Sequence, residues 1–200
     1  MHSYLHNDAL ESIGTIKGGS TPSTTNSDNF CQTGTPWITP KDLSDNVGNR
    51  FITRGGTDVT ATGIKNASLK LLPAGTVLLS SRAPIGYLAI ARTEVTTNQG
   101  FKSFVPDRGY PSDFIYFTLR HNMKKIEAYA SGSTFKEVSG GTLKQITIPL
   151  PDKAIVEAFA SKASALSKQQ DNLEQQNQEL ATLRDWLLPM LMNGQVTVAH

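Results

Sequence analysis

Two patterns of hydrophobic and polar positions divide the chain. In the first 150 residues, short apolar runs rich in β-branched and aromatic residues alternate with stretches rich in Gly, Pro, Ser and Thr, a pattern typical of strands and loops. The runs that predict strands are residues 76–80, 87–91, 100–105 and 145–150. Residues 111–130 carry apolar positions at near-helical spacing behind Ser112, a candidate N-cap, and predict one helix. We therefore expect a strand-rich α+β domain.

The second pattern begins after Pro149 and Pro151, where Ala, Leu, Gln, Glu and Lys dominate and no glycine occurs before Gly194. Apolar residues recur here every seven positions, which predicts a coiled-coil helix over about residues 152–188, roughly 55 Å long, that Pro189 and Asn193-Gly194 end. The predicted interface positions are Phe159, Ala163, Leu166, Gln170, Leu173, Asn177, Leu180 and Leu187. The expected organisation is a globular domain over residues 1–150, a long helix over 151–192 and a tail over 193–200.

An isolated helix with one apolar face is marginal in water, so this stripe calls for a partner helix from another chain or from another part of the same protein. Polar Gln170 and Asn177 would penalise pairings in the wrong register. The alternative is a helix folded back on its own domain. Such helices usually show a less regular period near 3.6, whereas the stripe here repeats every seven residues.

Composition excludes several classes of protein. The single cysteine, Cys31, rules out an intramolecular disulfide framework and cannot alone make a structural zinc site. The N-terminal residues lack the apolar run of a signal peptide, and no stretch approaches the roughly 20 apolar residues that span a bilayer. We therefore expect a soluble cytoplasmic protein without a membrane partner.

The formal net charge of +2 is unevenly distributed. Residues 50–144 hold 13 lysines and arginines against 6 acidic residues, whereas residues 152–200 hold 4 against 6. The basic surplus of the middle segment could attract nucleic-acid phosphates, each neutralised phosphate adding salt-sensitive affinity. An ordinary solvated basic surface would give the same count.

Motifs for catalysis are missing. No Asp or Glu is followed two positions later by Lys, so the metal-dependent nuclease signature is absent, and so is the Asn/Asp-Pro-Pro-aromatic segment of amino-methyltransferases. The glycine-rich stretches match neither GxGxxG nor GxxxxGK[ST], and the four histidines lack metal-ligand spacing. We therefore predict no catalytic residue and no metal site. A nuclease or methyltransferase with an unrecognised site remains a rival interpretation.

A series of segments in fixed order resembles the specificity (S) subunit of type I restriction-modification systems. The segments are GGSTPS at 18–23, WITPKDL at 37–43, LLPAGTVL at 71–78, SSRAPIGY at 80–87, TNQGFK at 97–102, GSTFK at 132–136, IPLP at 148–151 and LLPMLMNG at 187–194. Each segment is weak evidence by itself, and their shared order over nearly the whole chain makes the resemblance specific.

The resemblance implies a non-catalytic DNA-recognition subunit of a methyltransferase and restriction complex. In that family two target-recognition domains each read half of a split double-stranded DNA site, and two long helices pack antiparallel as a spacer on which methylating subunits dock. S-adenosylmethionine would then belong to the modification subunit, with no cofactor bound by this chain, and a restriction subunit would join through the complex. The chain has one domain and one helix, so it is a natural half-subunit or a fragment. A half-subunit would pair with a second copy or another specificity half and, as a homodimer, read an inverted repeat.

DNA-contacting residues must hold phosphates and present side chains to base edges. Ser80, Ser81 and Arg82 place two hydroxyls and a guanidinium on one loop, although the hydroxyls could instead bond their own backbone. Asn98 and Gln99 carry amides that suit an adenine edge. The competing interpretation makes these family-like segments scaffold, since residues that choose a sequence should vary among members.

By that reasoning, residues 24–34 and 47–70 are better candidates for base readout. The complete predicted DNA-binding set is Ser20, Thr21, Lys41, Arg50, Arg54, Lys65, Ser80, Ser81, Arg82, Asn98, Gln99, Lys102, Ser133, Thr134 and Lys136, the last three as a loop that grips phosphate. A different class of function also remains open. The chain could be a coiled-coil interaction module that regulates or competes with a full specificity subunit without reading DNA itself.

Overall fold

The computed structural model describes residues 5–132 and 136–195. Over these residues the strands are β1 (Leu5–Ala9), β2 (Thr15–Gly18), β3 (Phe30–Cys31), β4 (Thr35–Ile38), β5 (Phe51–Ile52), β6 (Asp58–Val59), β7 (Val77–Ser81), β8 (Ile85–Ala91), β9 (Thr96–Thr97), β10 (Lys102–Val105) and β11 (Thr147–Pro151). The helices are α1 (Pro40–Asp45), α2 (Ala61–Asn66), α3 (Ser112–His121), α4 (Met123–Ala128), α5 (Gly140–Gln145) and α6 (Lys153–Met192). The predicted α+β fold with a long C-terminal helix is confirmed.

Three sheets organise the domain. The central sheet has the order β2-β10-β7-β8-β5, in which only β5 runs parallel to its neighbour. A second sheet has the order β3-β6-β4-β9, and β1 pairs antiparallel with β11. Because β11 leads directly into α6, the pairing of β1 with β11 ties the N-terminal strand to the base of the long helix.

The central sheet is covered on both faces. Along β7, Val77 and Leu79 pack into a core shared with α3, α4 and α5, whereas Leu78 faces a second core containing Ile38 and Phe101. This alternation follows from the two-residue period of a strand. The short apolar run that predicted β7 is therefore buried on both sides, like the neighbouring strand β8.

The helix expected over residues 111–130 is two helices. α3 ends at His121 and α4 begins at Met123. Asn122, between them, donates its side-chain amide to the Thr118 carbonyl oxygen at 2.9 Å. Asparagine amides compete in this way with the backbone bonds that continue a helix. The prediction that Ser112 is the N-cap is wrong, because Ser112 is the first residue of α3. The N-cap is Pro111, and it makes no side-chain capping bond.

α6 has 40 residues, about 60 Å at 1.5 Å per residue. The prediction that Pro189 helps to end this helix is wrong, because the helix continues to Met192. A proline removes one helical hydrogen bond, and here the chain tolerates that loss near the helix end. The helix ends at Met192, and Gly194, which follows the C-cap Asn193, has φ +68°. The Gln195 N–H donates to the Met190 carbonyl oxygen at 2.9 Å. No helix within the described ranges is long and apolar enough to cross a membrane.

Candidate nucleic-acid interface and arm

Three of the family-like segments meet in one place. Gly19 lies so close to β9 that a Cβ there would be 2.1 Å from the Asn98 carbonyl oxygen, which explains the glycine. The Ser20 N–H donates to the Thr97 carbonyl oxygen at 3.0 Å, and the Trp37 indole N–H donates to the Ser20 carbonyl oxygen at 3.1 Å. The segments at 18–23, 37–43 and 97–102 therefore form one scaffold through backbone contacts.

Two exposed side chains stand on this scaffold. Thr21 and Gln99 are both exposed, and the Thr21 hydroxyl donates to Oε1 of Gln99. Asn98 is half-buried, and its Oδ1 accepts from the Gly100 N–H at 2.9 Å. Ser20 is half-buried and contributes backbone bonds. Among these four predicted DNA contacts, Thr21 and Gln99 are the side chains best placed for a partner.

The TPKD part of the scaffold is organised by Asp42. Its carboxylate accepts from the Thr39 N–H at 2.7 Å, the Thr39 hydroxyl at 2.6 Å and the Gly56 N–H at 2.8 Å. This capping box starts α1 and holds the loop after β5. Lys41 is exposed beside this capping box, and its hydrogen bond to Asp45 raises the pKa of Lys41.

Ser80 and Ser81 are fully buried and must be withdrawn from the candidate interface. The Ser80 hydroxyl donates to the Pro84 carbonyl oxygen at 2.8 Å and accepts from the Tyr87 N–H at 2.9 Å. The Ser81 hydroxyl donates to the Gly100 carbonyl oxygen at 3.1 Å. The Ser80 hydroxyl thus closes the end of the β7–β8 hairpin, and the Ser81 hydroxyl ties β7 to the segment before β10. Both hydroxyls bond backbone groups, as the alternative interpretation of this segment proposed.

Arg82 and Lys102 share one carboxylate. Arg82 Nη1 lies 3.7 Å from one oxygen of Glu137, and Lys102 Nζ lies 3.2 Å from the other. Lys136 is exposed beside Glu137. The cluster of Arg82, Lys102, Lys136 and Glu137 therefore carries an excess of two positive charges. Ser133 and Thr134, the other predicted members of this loop, lie outside the described residues.

A polar loop over residues 20–34 lies against α2. The Asn29 side chain is buried, donates to the Ser23 carbonyl oxygen at 2.9 Å and accepts from the Asn66 amide at 3.0 Å. A Cβ on Gly63 would come within 2.2 Å of the Asn29 carbonyl oxygen, so α2 and the loop are in direct backbone contact. Residues 23–28 are exposed along this loop, and Lys65 is exposed on α2.

Arg54 is presented at the edge of the same region. Its Nη1 lies 2.9 Å from Oδ2 of Asp58, a carboxylate that is only 2% exposed, and donates to the Gln32 carbonyl oxygen at 3.3 Å. Asp58 Oδ2 also accepts from the Gly34 N–H at 2.8 Å. Nearly half of the Arg54 side chain remains exposed, and clefts on both sides of it are lined by residues 30–32 and 55–58 and by residues 41–46. Arg54 is therefore held in place but accessible.

Arg50, four positions earlier, has a different role. Its side chain is 8% exposed, its Nη2 donates to the Ser167 hydroxyl at 2.7 Å, and its guanidinium lies over the rings of Phe51 and Phe117 at 4.8 and 5.5 Å. These contacts hold the guanidinium between the domain and α6. The prediction that Arg50 contacts DNA is corrected by this burial, because the proximal part of the helix covers the guanidinium.

Sequence reasoning missed the polar contacts that attach α6 to the domain. The Glu174 carboxylate is buried and accepts from the backbone N–H groups of Arg50 and Phe51 at 2.9 and 3.0 Å and from the Gln170 amide at 2.8 Å. Arg92 lies 2.5 Å from Asp171 and 3.4 Å from Glu174. We call these side chains the arm clamp: Arg50, Arg92, Asp113, Ser167, Asp171 and Glu174. The available signal was the spacing of four and three among Ser167, Asp171 and Glu174, which marks a second helix face beside the leucine stripe.

The predicted heptad positions divide between two surfaces. Phe159 lies edge-on to Phe114 and Phe117, with ring centroids 6.0 and 6.3 Å apart, and Ala163 is half-buried. Leu166, Leu173 and Leu180 are exposed by 68%, 52% and 62%, respectively. The remaining positions are exposed Gln170 and Asn177 and half-buried Leu187. The first half of α6 thus lies on its own domain, as the alternative held, while a leucine stripe stays open to solvent.

A mixed domain with polar loops built on a rigid backbone scaffold, extended by a long helix with an open leucine stripe, is the layout of a recognition module with a spacer arm. Residues 7–182 match the family described as type I restriction modification DNA specificity domain. The chain belongs to this family. The prediction of a component that is not itself an enzyme agrees with this assignment, because specificity subunits are the non-catalytic components of restriction-modification complexes.

Similar proteins span the same region. The chain is 40% identical over 176 residues to the type I restriction enzyme MjaIX specificity subunit of Methanocaldococcus jannaschii, covering 86% of this chain and 40% of that protein. It is 30% identical over 191 residues to the HindI specificity subunit of Haemophilus influenzae, covering 94% of this chain and 41% of the relative. The chain therefore spans less than half the length of these curated relatives.

Solved structures show the same fold. The S subunit from M. genitalium superimposes with a TM-score of 0.62 at 18% identity, over 94% of this chain and 45% of that one. The HsdS subunit from Thermoanaerobacter tengcongensis gives a TM-score of 0.59 at 19% identity, over 98% of this chain and 46% of that one. At this identity the likeness concerns the fold, and it includes the long helix because nearly the whole chain is covered.

Proposed function

We propose that the chain recognises one half of a bipartite double-stranded DNA target and directs the modification and restriction subunits of a type I complex to it. The observation that carries the proposal is the family match over residues 7–182, which joins the recognition domain and most of α6 in one unit. The chain itself performs no chemistry in this proposal. S-adenosylmethionine and the catalytic groups belong to the modification subunit.

The proposed DNA contacts are the predicted residues that remain accessible. They are Thr21, Lys41, Arg54, Lys65, Arg82, Gln99, Lys102 and Lys136, of which Lys102 is the least exposed. Arg82, Lys102 and Lys136 suit phosphate oxygens because the cluster has two excess positive charges. These contacts would set affinity and position without selecting a sequence.

Arg54 is the best candidate for base readout. An arginine fork bonds O6 and N7 of guanine, and one held by a carboxylate needs little reordering when it binds. Asp58 and Gln32 occupy only Nη1, and within residues 5–132 and 136–195 the other guanidinium nitrogens of Arg54 have no partner. The exposed polar residues 23–28 and the Gln99 amide could read neighbouring base edges.

The proposed functional unit is a pair of antiparallel helices. Two copies of α6 related by a two-fold axis near residue 177 would place Leu166 against Leu187, Leu173 against Leu180 and Ala163 against Met190. This register covers Leu166, Leu173 and Leu180, the exposed leucines of the stripe, on both chains. A second copy would give two identical recognition domains and an inverted-repeat target, whereas another specificity half would give an asymmetric target.

Methylation sequencing of cells that express the chain with its modification subunit tests the proposal. We expect methylation at a bipartite motif with a fixed spacer, and an inverted repeat if the partner is a second copy. DNA binding by the purified chain should weaken steeply with salt. Methylation or cleavage by the chain alone would contradict the proposal. Capture of a second specificity chain without any DNA binding would instead support the competing interaction module.

A further inference from the structure

The arm clamp joins the recognition domain to α6 at several points. Glu174 accepts the N–H groups at the start of β5, Asp171 and Glu174 hold Arg92 just after β8, and Ser167 bridges Arg50 to Asp113 on α3. The Ser167 hydroxyl accepts from Arg50 Nη2 at 2.7 Å and donates to Asp113 Oδ1 at 2.8 Å. Three parts of the domain are thereby attached to two turns of one helix.

The contacts fix both the position and the rotation of the helix. Ser167, Asp171 and Glu174 are spaced along about 10 Å of the helix axis, which opposes sliding. Each bonds groups with defined directions, namely a guanidinium fork or backbone N–H groups, which opposes rotation. Arg50, Arg92 and Glu174 are nearly buried, so water cannot easily substitute for a lost partner.

Energy alone is a poor explanation for this network. Buried ion pairs contribute little net stability compared with well-packed apolar residues, because removing the charges from water costs about as much as their attraction returns. What such a network supplies is defined geometry. An apolar contact such as that of Phe159 with Phe114 could hold α6 on the domain. The charged clamp also determines the angle between α6 and the domain.

The angle matters because α6 acts as a lever. A change of about 10° at the clamp moves a point 30 Å along the helix by about 5 Å, which exceeds the rise of about 3.4 Å for one DNA base pair. One base pair also rotates the next half-site by about 35°, since a turn holds about 10.5 base pairs. A pair of domains can match one spacer length only if this angle is fixed.

We propose that the arm clamp determines how many base pairs separate the two half-sites that a paired unit recognises. Glu174, Ser167 and Arg92 are positioning residues in this scheme and touch no base. The inference rests on the proposed function, because a spacer length exists only if the target is bipartite. It adds a determinant of specificity that lies at the joint between domain and arm.

The test measures binding to duplexes that carry the same two half-sites, taken from the methylated motif, with the spacer lengthened or shortened by one or two base pairs. The full chain would be used with its modification subunit. The variants are Glu174→Gln, which removes the charge, and Ser167→Ala, which removes the bridge to Arg50 and Asp113 while improving helix propensity. The matched controls are Glu157→Gln and Ser164→Ala, exposed on the same helix.

We expect the native chain and both controls to prefer one spacer length over its neighbours by at least about tenfold. In the two clamp variants this preference should fall to about threefold or less, while affinity for an isolated half-site changes by less than about twofold. Circular dichroism would verify that each variant is folded. Should Glu174→Gln fail to fold, Ser167→Ala decides the question by the same measurement.

A spacer preference that stays unchanged in folded clamp variants overturns the inference and leaves the proposed function intact. A loss of affinity for isolated half-sites as large as the loss of spacer preference also overturns it, since the clamp would then support the domain in general. If the native chain binds no bipartite target at all, the proposed function fails and this inference fails with it.

Discussion

The two halves of α6 have different compositions and different surroundings, the first rich in Ala and the second in Leu. Up to Glu174 the helix lies on its own domain, with Val156 buried and the clamp carboxylates bonded to arginines and backbone N–H groups. Beyond Glu174 it exposes Leu180, Trp186 and Met192, by 62%, 58% and 78%. The same helix thus combines apolar and polar contacts in its attachment to the domain, and its distal half presents an apolar surface that stays exposed among the described residues.

This difference indicates how one helix can serve two partners. The clamp face and the leucine stripe lie side by side in the proximal half, since Gln170 of the stripe bonds Glu174 of the clamp. A heptad pattern reports only the apolar stripe. Phe159 packs on the domain, whereas attachment by charged groups further along leaves Leu166, Leu173 and Leu180 exposed. The domain therefore does not compete with a second helix for these leucines.

The largest expected effect concerns the stripe. Replacing both Leu173 and Leu180 with Glu puts four carboxylates into the seam of the proposed pair, in the positions where leucines would meet. We expect the pair to dissociate and affinity for the full bipartite site to fall at least about 100-fold, because two linked half-sites no longer bind together. Light scattering measures the mass, and titration of labelled DNA measures the affinity.

The control for this prediction is Asn172→Glu, an exposed position on the same turn but outside the stripe. It adds a charge without entering the seam. A double Leu variant that remains paired, or a control that dissociates equally, would show that the stripe is not the pairing surface and would remove the difference between the two halves of α6.

The second effect concerns stability of the proximal half. Glu174→Ala leaves two backbone N–H groups without their acceptor and removes one of the two carboxylates that Arg92 contacts. Loss of one partner of a buried charge network costs about 3 kcal/mol. Glu179→Ala, in the exposed distal half, should change the free energy of unfolding by less than about 0.5 kcal/mol. Urea denaturation of both variants checks the contrast. Equal losses would mean that the clamp contributes no more than an exposed carboxylate.

Much of this organisation follows from local sequence. The short apolar runs predicted β7, β8, β10 and β11. The change of composition after Pro151 predicted the first residue of α6 to within two positions. The family-like segments could also be recognised as scaffold. Gly19, for example, can approach β9 closely only because it has no Cβ. Local periodicity and backbone requirements act over a few residues, so the sequence displays them directly.

Burial of individual polar side chains could not be predicted in the same way. Arg50 and Arg54 belong to one stretch, yet the first lies under α6 and the second beside a cleft. That outcome depends on where residues more than 110 positions away are placed, as in the bond from Arg50 to Ser167. Ser81 is similar, because its hydroxyl bonds Gly100, 19 positions away. The bond from Ser80 to Pro84 is local, and the sequence already indicated such backbone bonding as an alternative. Tertiary placement, and not side-chain chemistry, therefore decides which of the candidate DNA-binding side chains are accessible.

A smaller effect should separate packing on the domain from packing in the pair. Phe159→Ala removes a half-buried ring from contact with Phe114 and Phe117 and should lower the free energy of unfolding by about 2 kcal/mol at every protein concentration. Leu180→Ala should lower the melting temperature only where the chain is concentrated enough to pair. Calorimetry over a hundredfold concentration range distinguishes the two. A concentration-dependent loss in the Phe159 variant would place that residue in the pairing surface instead.

The smallest expected effect concerns two neighbouring arginines, Arg50 in the arm clamp and Arg54 outside it. Arg54→Ala should weaken binding to the cognate half-site by about tenfold and relax the preference at one base pair, because it removes a held guanidinium from an accessible edge. Arg50→Lys keeps the charge but loses the planar fork that meets Ser167 and Asp113, so it should alter the attachment of α6 and leave the base preference unchanged. Binding to a half-site library with each base pair varied measures both. A changed base preference in the Arg50 variant would show that the domain and the arm are not separate in function, since a residue covered by the proximal half of α6 would then take part in readout.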